Sequence, residues 1–204
     1  MRGYFAFLVV FVSVFLLISL YHSFAYSGFN KAKEIAIEQN YQLELNVKYS
    51  ILEAADQAAK KAIFEYMLLH LGEAIDPKDM RDFIRARAFE GMKRLADFEY
   101  SEKEVIIWCG YNTDNELKNL MKKMVEEKKA LICADCKPIE SDECLDFVNL
   151  DINLDDGMLD YIWLGANDPG DLLKKGVVGV SVYDKNFGVS GVSYIPQSEK
   201  RDLT

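Results

Sequence analysis

The sequence has only two histidines, His22 and His70, and neither lies in a motif with a serine or cysteine nucleophile. Hydrolysis by a catalytic triad therefore lacks a visible general base. There is also no glycine-rich phosphate-binding loop and no His-Glu-x-x-His zinc motif. Residue type leaves carboxylate catalysis open. We nevertheless expect a protein that is not an enzyme and that carries no cofactor and no metal.

Basic residues are scarce as well, with 24 lysines and arginines against 33 acidic residues and a net charge of −9. An acidic surface repels a phosphate backbone, so nucleic acid is not an expected partner. The acids are densest between Lys137 and Asp171, which is typical of a solvated face. A divalent cation or a basic partner is the alternative interpretation of this stretch.

The stretch from Asp151 to Gly157 carries acidic and amide residues at the spacing of a calcium loop. An EF-hand needs glycine at its sixth position and a bidentate glutamate at its twelfth. These positions hold Asp156 and Ile162, so a hairpin explains the stretch better and no calcium site is expected.

Between Arg2 and Lys31 there is no lysine, arginine, aspartate or glutamate, and the only histidine is His22. An apolar run from Tyr4 to Leu20 leads into weakly polar, aromatic residues up to Tyr26, and about 20 such residues suffice for a helix to cross a bilayer. We therefore predict a transmembrane signal-anchor helix over 1–27, with 4–26 in contact with lipid, and a domain over 28–204. A cleaved secretory signal, cut after Ser23-Phe24-Ala25, and a buried core helix are the alternatives.

Lysines and arginines flank this segment almost equally, with Arg2 on the short side and Lys31 and Lys33 on the other. The positive-inside rule therefore gives little asymmetry. The very short N-terminal tail favours a cytoplasmic N-terminus. We expect a single-pass protein of the cell membrane whose large C-terminal domain is extracytoplasmic.

Arg2-Gly3, followed directly by a long apolar helix, resembles a prepilin processing site. In outline the N-terminal part of the chain is similar to type IV pilin-like proteins. The resemblance implies an apolar helix that continues into an amphipathic one, then a small antiparallel-sheet head, with the apolar helix packed in a filament or stored in the membrane. The sequence departs from the pattern in its leader of only Met1 to Gly3. It also has Leu8 where many bacterial pilins have glutamate.

Helical periodicity dominates from Asn30 to Leu71, after a predicted hinge at Ser27-Gly28, and Gly72 ends it. One stripe of this helix recurs at spacings of three and four: Leu45, Tyr49, Leu52, Ala55, Ala59, Ile63 and Tyr66. Residues 42–49 also alternate with a period of two, as a strand would, but the flanking pattern favours helix.

Two further helices are predicted. The first begins at Asp76-Pro77, where aspartate is a favoured N-cap and proline a tolerated first residue, and ends near Asp97. Its outward face should carry Arg85. The second begins at the capping box formed by Thr113 and Glu116.

A short buried strand is predicted from Val105 to Cys109, before the helix that begins at Thr113, and the final third favours two hairpins. The hairpins pair Leu145–Leu154 with Met158–Leu164 and Val177–Tyr183 with Val189–Ile195, and the polar tail after Pro196 should fray. Helices followed by antiparallel strands define an α+β fold, with the long helix packed across one sheet face. Trp108 and Trp163 are expected in the core.

Four cysteines, Cys109, Cys133, Cys136 and Cys144, lie in the part expected outside the membrane. An even number in an oxidising compartment favours two disulfides, and we expect Cys109 to pair with one cysteine of the Cys133–Cys136 segment and Cys144 with the other. A zinc tetrad, free buried thiols and redox chemistry are the alternatives.

Together these features predict a membrane-anchored, non-enzymatic protein with a role in assembly or adhesion, as a pilin-like subunit that contacts protein partners or further copies of itself. The alternative is an anchored accessory or sensor domain that binds a protein partner or a small ligand.

Overall fold

The computed structural model describes residues 2–96, 99–100, 102–112, 119, 122–123, 126–127, 135–153, 158–165, 175–195 and 201–202. Two long helices come first, α1 (Arg2–Leu69) and α2 (Pro77–Lys93). Strands follow, grouped in two antiparallel sheets. The α+β fold expected from the sequence is confirmed.

Helix α1 is one uninterrupted helix, so the hinge predicted at Ser27-Gly28 is wrong. A glycine inside a helix costs only about 1 kcal/mol relative to alanine, and strong helical sequence on both sides outweighs that cost. Residues 42–49 are helical, as preferred over the strand pattern. Within the predicted stripe Leu52, Ala55, Ala59 and Tyr66 are buried, whereas Tyr49 is 58% exposed.

Helix α2 begins where the sequence predicted, and the Asp76 side chain accepts a hydrogen bond from the Lys78 backbone N–H at 2.9 Å. Gly91 of α2 faces the Ala54 carbonyl and the Ala58 side chain so closely that a Cβ there would overlap both. Small residues therefore allow α1 and α2 to approach each other closely.

The larger sheet contains β1 (Glu99–Tyr100), β2 (Lys103–Asn112), β3 (Lys137–Pro138), β6 (Lys175–Asp184) and β7 (Val189–Ile195). Its order is β1-β2-β6-β7, with β3 paired to β2. Trp108 of β2 lies opposite Gly179 of β6, where the missing side chain leaves room for the indole. The indole N–H donates to Ser181 Oγ at 2.8 Å, and Trp108 is fully buried.

The smaller sheet contains β4 (Val148–Asn153), β5 (Met158–Leu164) and β8 (Arg201–Asp202), in the order β4-β5-β8. Residues Asp142–Phe147 form a 3₁₀ helix, so the strand predicted from Leu145 begins three residues later. Part of the tail predicted to fray is strand β8, which pairs with Tyr161 and Ile162. The helix predicted after Thr113 falls largely outside the described residues.

One core joins these elements. The second half of α1 packs on β6 and β7, and α2 packs on α1 and β4. The largest fully buried side chains come from both helices and both sheets: Trp108, Ile51, Ile84, Met92, Ile139, Ile162, Leu164 and Ile195. We call this folded part, from Ala36 onward, the head.

Candidate functional site

The first half of α1 carries large apolar side chains that are largely exposed. Phe15, Leu17 and Tyr21 are 64%, 66% and 76% exposed, and Phe24 and Phe29 continue the series. By length and composition this one helix is sufficient to cross a membrane. From Val10 onward, the first buried position is Ala36. The head therefore starts where the apolar segment has ended.

A group of polar side chains fastens the larger sheet to α1 at the end of the head nearest the apolar segment. Asn40 Nδ2 donates to the Val189 carbonyl at 3.1 Å, and Lys103 Nζ donates to Asn40 Oδ1 at 2.6 Å. The same ammonium lies 3.5 Å from Asp184 Oδ2, and both charged side chains are almost fully buried. We call Asn40, Lys103 and Asp184 the polar junction.

Asp184 also organises the β6–β7 turn, residues 184–188. Its Oδ1 accepts hydrogen bonds from the backbone N–H groups of Asn186 and Phe187 at 2.9 and 3.0 Å. Gly188 adopts φ 61°, a left-handed conformation that favours glycine, and its N–H donates to the Asp184 carbonyl. The turn places the Phe187 ring 6.0 Å from the ring of Phe29 on α1.

A buried carboxyl lies one helical turn beyond Asn40. Glu44 is only 4% exposed, and its Oε1 approaches β7 at Gly191, where any Cβ would overlap it. Removal from water raises the pKa of Glu44 from 4.5 to about 7. Between about pH 4.5 and pH 7 the protonated form of Glu44 is therefore favoured in the folded head, whereas a free glutamate is ionised there.

We expect Glu44→Gln to stabilise the protein at pH 8 and to have little effect at pH 4. The folded-state pKa of Glu44 lies above its unfolded value, so the stability that this carboxyl contributes is fully present below about pH 4.5 and is lost as pH rises to about 7. The two pKa values differ by the equivalent of about 3 kcal/mol. Thermal unfolding of the full chain in detergent should show a Tm higher by roughly 6 to 10 °C at pH 8.

The matched control is Glu34→Gln, which removes an exposed carboxylate from the same helix. It should leave the dependence of Tm on pH unchanged. An equal Tm for the Glu44→Gln and wild-type chains at pH 8 would contradict a raised pKa for the buried Glu44 carboxyl.

A cleft of about 330 Å³ lies beside α1 and the start of β2. Its lining combines amide and charged groups with one apolar side chain: Glu38, Gln39, Gln42, Leu43, Asn46 and Lys103. Such a surface can hydrogen-bond a small polar molecule. It has the volume of a small ligand site but lacks the mostly apolar lining usual for one.

The four cysteines do not pair as the sequence predicted. Cys109 of β2 is bonded to Cys144 of the 3₁₀ helix, with a Cα–Cα distance of 5.7 Å. Cys136 is also in a disulfide, and Cys133 lies outside the described residues. The prediction was wrong because β3 pairs with β2 and is followed three residues later by the 3₁₀ helix, whose first turn brings Cys144 to Cys109. The Cys109–Cys144 bond occupies two of the sulfurs that a zinc tetrad would need.

Three acids of the acidic stretch have basic partners in the head. Asp142 pairs with Lys93, Glu143 with Lys137 and Asp146 with Arg85. Arg85 is not outward-facing as predicted, because its Nε also donates to the carbonyls of Leu145 and Val148. Within the described residues no group of three or more histidine, cysteine and acidic side chains could hold a metal. Most of the loop at Asp151–Gly157 lies outside those residues.

The polar junction and Glu44 were missed in the sequence. Asn40, Glu44 and Lys48 recur every four residues, in line with the buried stripe, and all three are less than 9% exposed. That spacing could have indicated that the three residues are buried. However, polar residues alternate at 42, 44, 46 and 48, and this pattern suggested that Glu44 and Lys48 face solvent.

No protein-family model, curated protein or solved structure matches this chain. No relative therefore suggests a function for it.

Proposed function

We propose that this chain is a membrane-anchored, non-enzymatic protein whose head is extracytoplasmic, and that it acts in assembly or adhesion as a pilin-like subunit. The observation that carries the proposal is the single helix α1. Its first half is apolar and uncovered, and its second half is the central helix of the head.

The continuity of α1 couples the apolar half of the helix rigidly to the head. A helix without a break transmits position and orientation from the bilayer to the head, because there is no loop at which the two can swivel. The same apolar half could leave the lipid and pack against apolar helices of other subunits without any change in the head. A disulfide in the head suits an oxidising compartment outside the cell.

The N-terminus of the mature protein, measured by mass spectrometry of material from its native membrane, tests the proposal. We expect a chain that begins at Tyr4, as cleavage after Gly3 would produce. Replacement of the residue before the cut, Gly3→Leu, should leave the N-terminus unprocessed. Gly28→Ala, which changes a glycine with no neighbour within 4 Å of a built Cβ, is the matched control and should be processed normally.

Each alternative N-terminus has a distinct meaning. A chain that begins at Tyr26 would be a secreted protein without an anchor, and the proposal would fall entirely. An intact N-terminus would leave the anchor in place but remove the pilin-like processing.

The cleft beside Lys103 favours a second candidate, an anchored accessory or sensor domain for a small polar ligand. Extraction in mild detergent separates the two. A subunit that assembles should appear as oligomers or filaments, whereas a sensor domain should appear as a monomer.

A further inference from the structure

We propose that the β6–β7 turn is a second membrane contact, with Phe187 inserted in the lipid interface beside Phe29 and Lys185 at the level of the headgroups. This inference rests on the proposed anchor. It adds a surface of the head itself to the part of the protein that touches lipid.

The length of the apolar segment places Phe29 at the edge of the bilayer. Residues 3–30, a stretch of 28, contain no lysine, arginine, aspartate or glutamate. At 1.5 Å per residue they extend over about 42 Å. A bilayer with its headgroup regions is about 40–45 Å thick. With this stretch across the membrane, Phe29 lies in the outer interfacial region, and any side chain against its ring lies there too.

The turn is held at that level by the head. Asp184 hydrogen-bonds the turn backbone and pairs with Lys103, and Lys103 is hydrogen-bonded to Asn40 of α1. Since α1 continues without a break from Asn40 to Phe29, the turn cannot move away from the bilayer without breaking the polar junction. The 6.0 Å contact between Phe187 and Phe29 is therefore a fixed feature of the fold.

The chemistry of this end of the head fits a lipid surface. Phe29 is 55% exposed and Phe187 is only half-buried, and aromatic rings are favoured at the membrane interface. Lys31, Lys33 and Lys185 are exposed at the same end, as are the acids Glu34, Glu38 and Glu102. The three ammonium groups can pair with lipid phosphates at the level of the headgroups.

Tryptophan fluorescence in nanodiscs that hold one full-length chain each tests the contact. Phe187→Trp and Lys185→Trp, the latter at an exposed position, each place an indole in the turn. Tyr194→Trp places an indole near the far end of β7, seven residues after Phe187. The discs are made with phosphatidylcholine or with its bromine-labelled analogue, which quenches indoles that reach the lipid. The wild-type chain, with Trp108 and Trp163 buried in the head, gives the background.

We expect bromine-labelled lipid to reduce the emission of the indoles at 187 and 185 by about half, as for side chains at the headgroup and acyl boundary. The indole at 194 should be unaffected. If the chains enter the discs but all three indoles respond alike, the turn does not touch lipid and the inference is overturned. If the wild-type chain does not enter the discs at all, it is the proposed anchor that fails. One chain per disc excludes contact with a second copy as the source of the signal.

Discussion

Deletion of residues 4–28 should convert the protein from one that requires detergent to one that is soluble and folded. The run from Tyr4 to Leu20 contains 13 leucine, isoleucine, valine and phenylalanine residues. On the insertion scale these contribute about 4 to 8 kcal/mol in favour of the bilayer. The head should keep its Tm within a few degrees, because its buried positions begin at Ala36. Ultracentrifugal fractionation and thermal unfolding measure both effects.

Two substitutions within the full-length chain provide the matched comparison. Leu16→Arg combined with Ile18→Arg adds about 5 to 7 kcal/mol against insertion, nearly the whole favourable sum, and should leave the chain outside the membrane. Leu16→Ala with Ile18→Ala keeps the segment apolar and should leave it inserted. Because the head is proposed to be extracytoplasmic, the truncated chain is to be given an independent export signal so that its disulfides form. A wild-type chain that fractionates as a soluble monomer without detergent would show that α1 is not an anchor.

Removal of the Cys109–Cys144 bond should produce the largest loss of stability within the head. The bond closes a separation of 35 residues, for which loop closure predicts about 4 kcal/mol. It also ties β2 of the larger sheet to the 3₁₀ helix that leads into β4 of the smaller one. The Cys109→Ala/Cys144→Ala chain should unfold roughly 8 to 16 °C lower than wild type in thermal scans followed by near-ultraviolet circular dichroism.

A reductant separates this bond from the second disulfide. Cys136→Ala is the control variant, since it removes the other bond and keeps Cys109 joined to Cys144. Reductant should lower the Tm of this control by about as much as the double substitution lowers that of wild type. An unchanged Tm in the double variant would mean that packing alone holds the two sheets together.

Patterns that involve one element were predictable from the sequence. The apolar run of α1, the N-cap at Asp76 and the strands from Met158 to Leu164 and from Val189 to Ile195 lie where composition and period placed them. The reason is that helix and strand periods depend on neighbours along the chain. The hinge predicted at Gly28 was wrong for a related reason. The helix penalty of one glycine is about 1 kcal/mol, which is too small to interrupt a long helix that forms cooperatively on both sides of it.

Pairings between distant residues were not predictable in this way. The sequence left three ways to join four cysteines, and the tie of Cys109 to Cys144 depends on β3 lying against β2. Likewise, Lys103 and Asp184 have no visible relation in the sequence until β2 and β6 are in register.

What the sequence by itself determined is the apolar helix, the acidic balance of the chain and the α+β succession of elements, because each of these is local or compositional. Only the tertiary structure decided that Arg85 faces inward, that Glu44 is buried and that the β6–β7 turn lies beside Phe29. Burial and pairing depend on which surfaces meet, and those surfaces belong to distant segments: Asn40 and Val189, for example, are 149 residues apart.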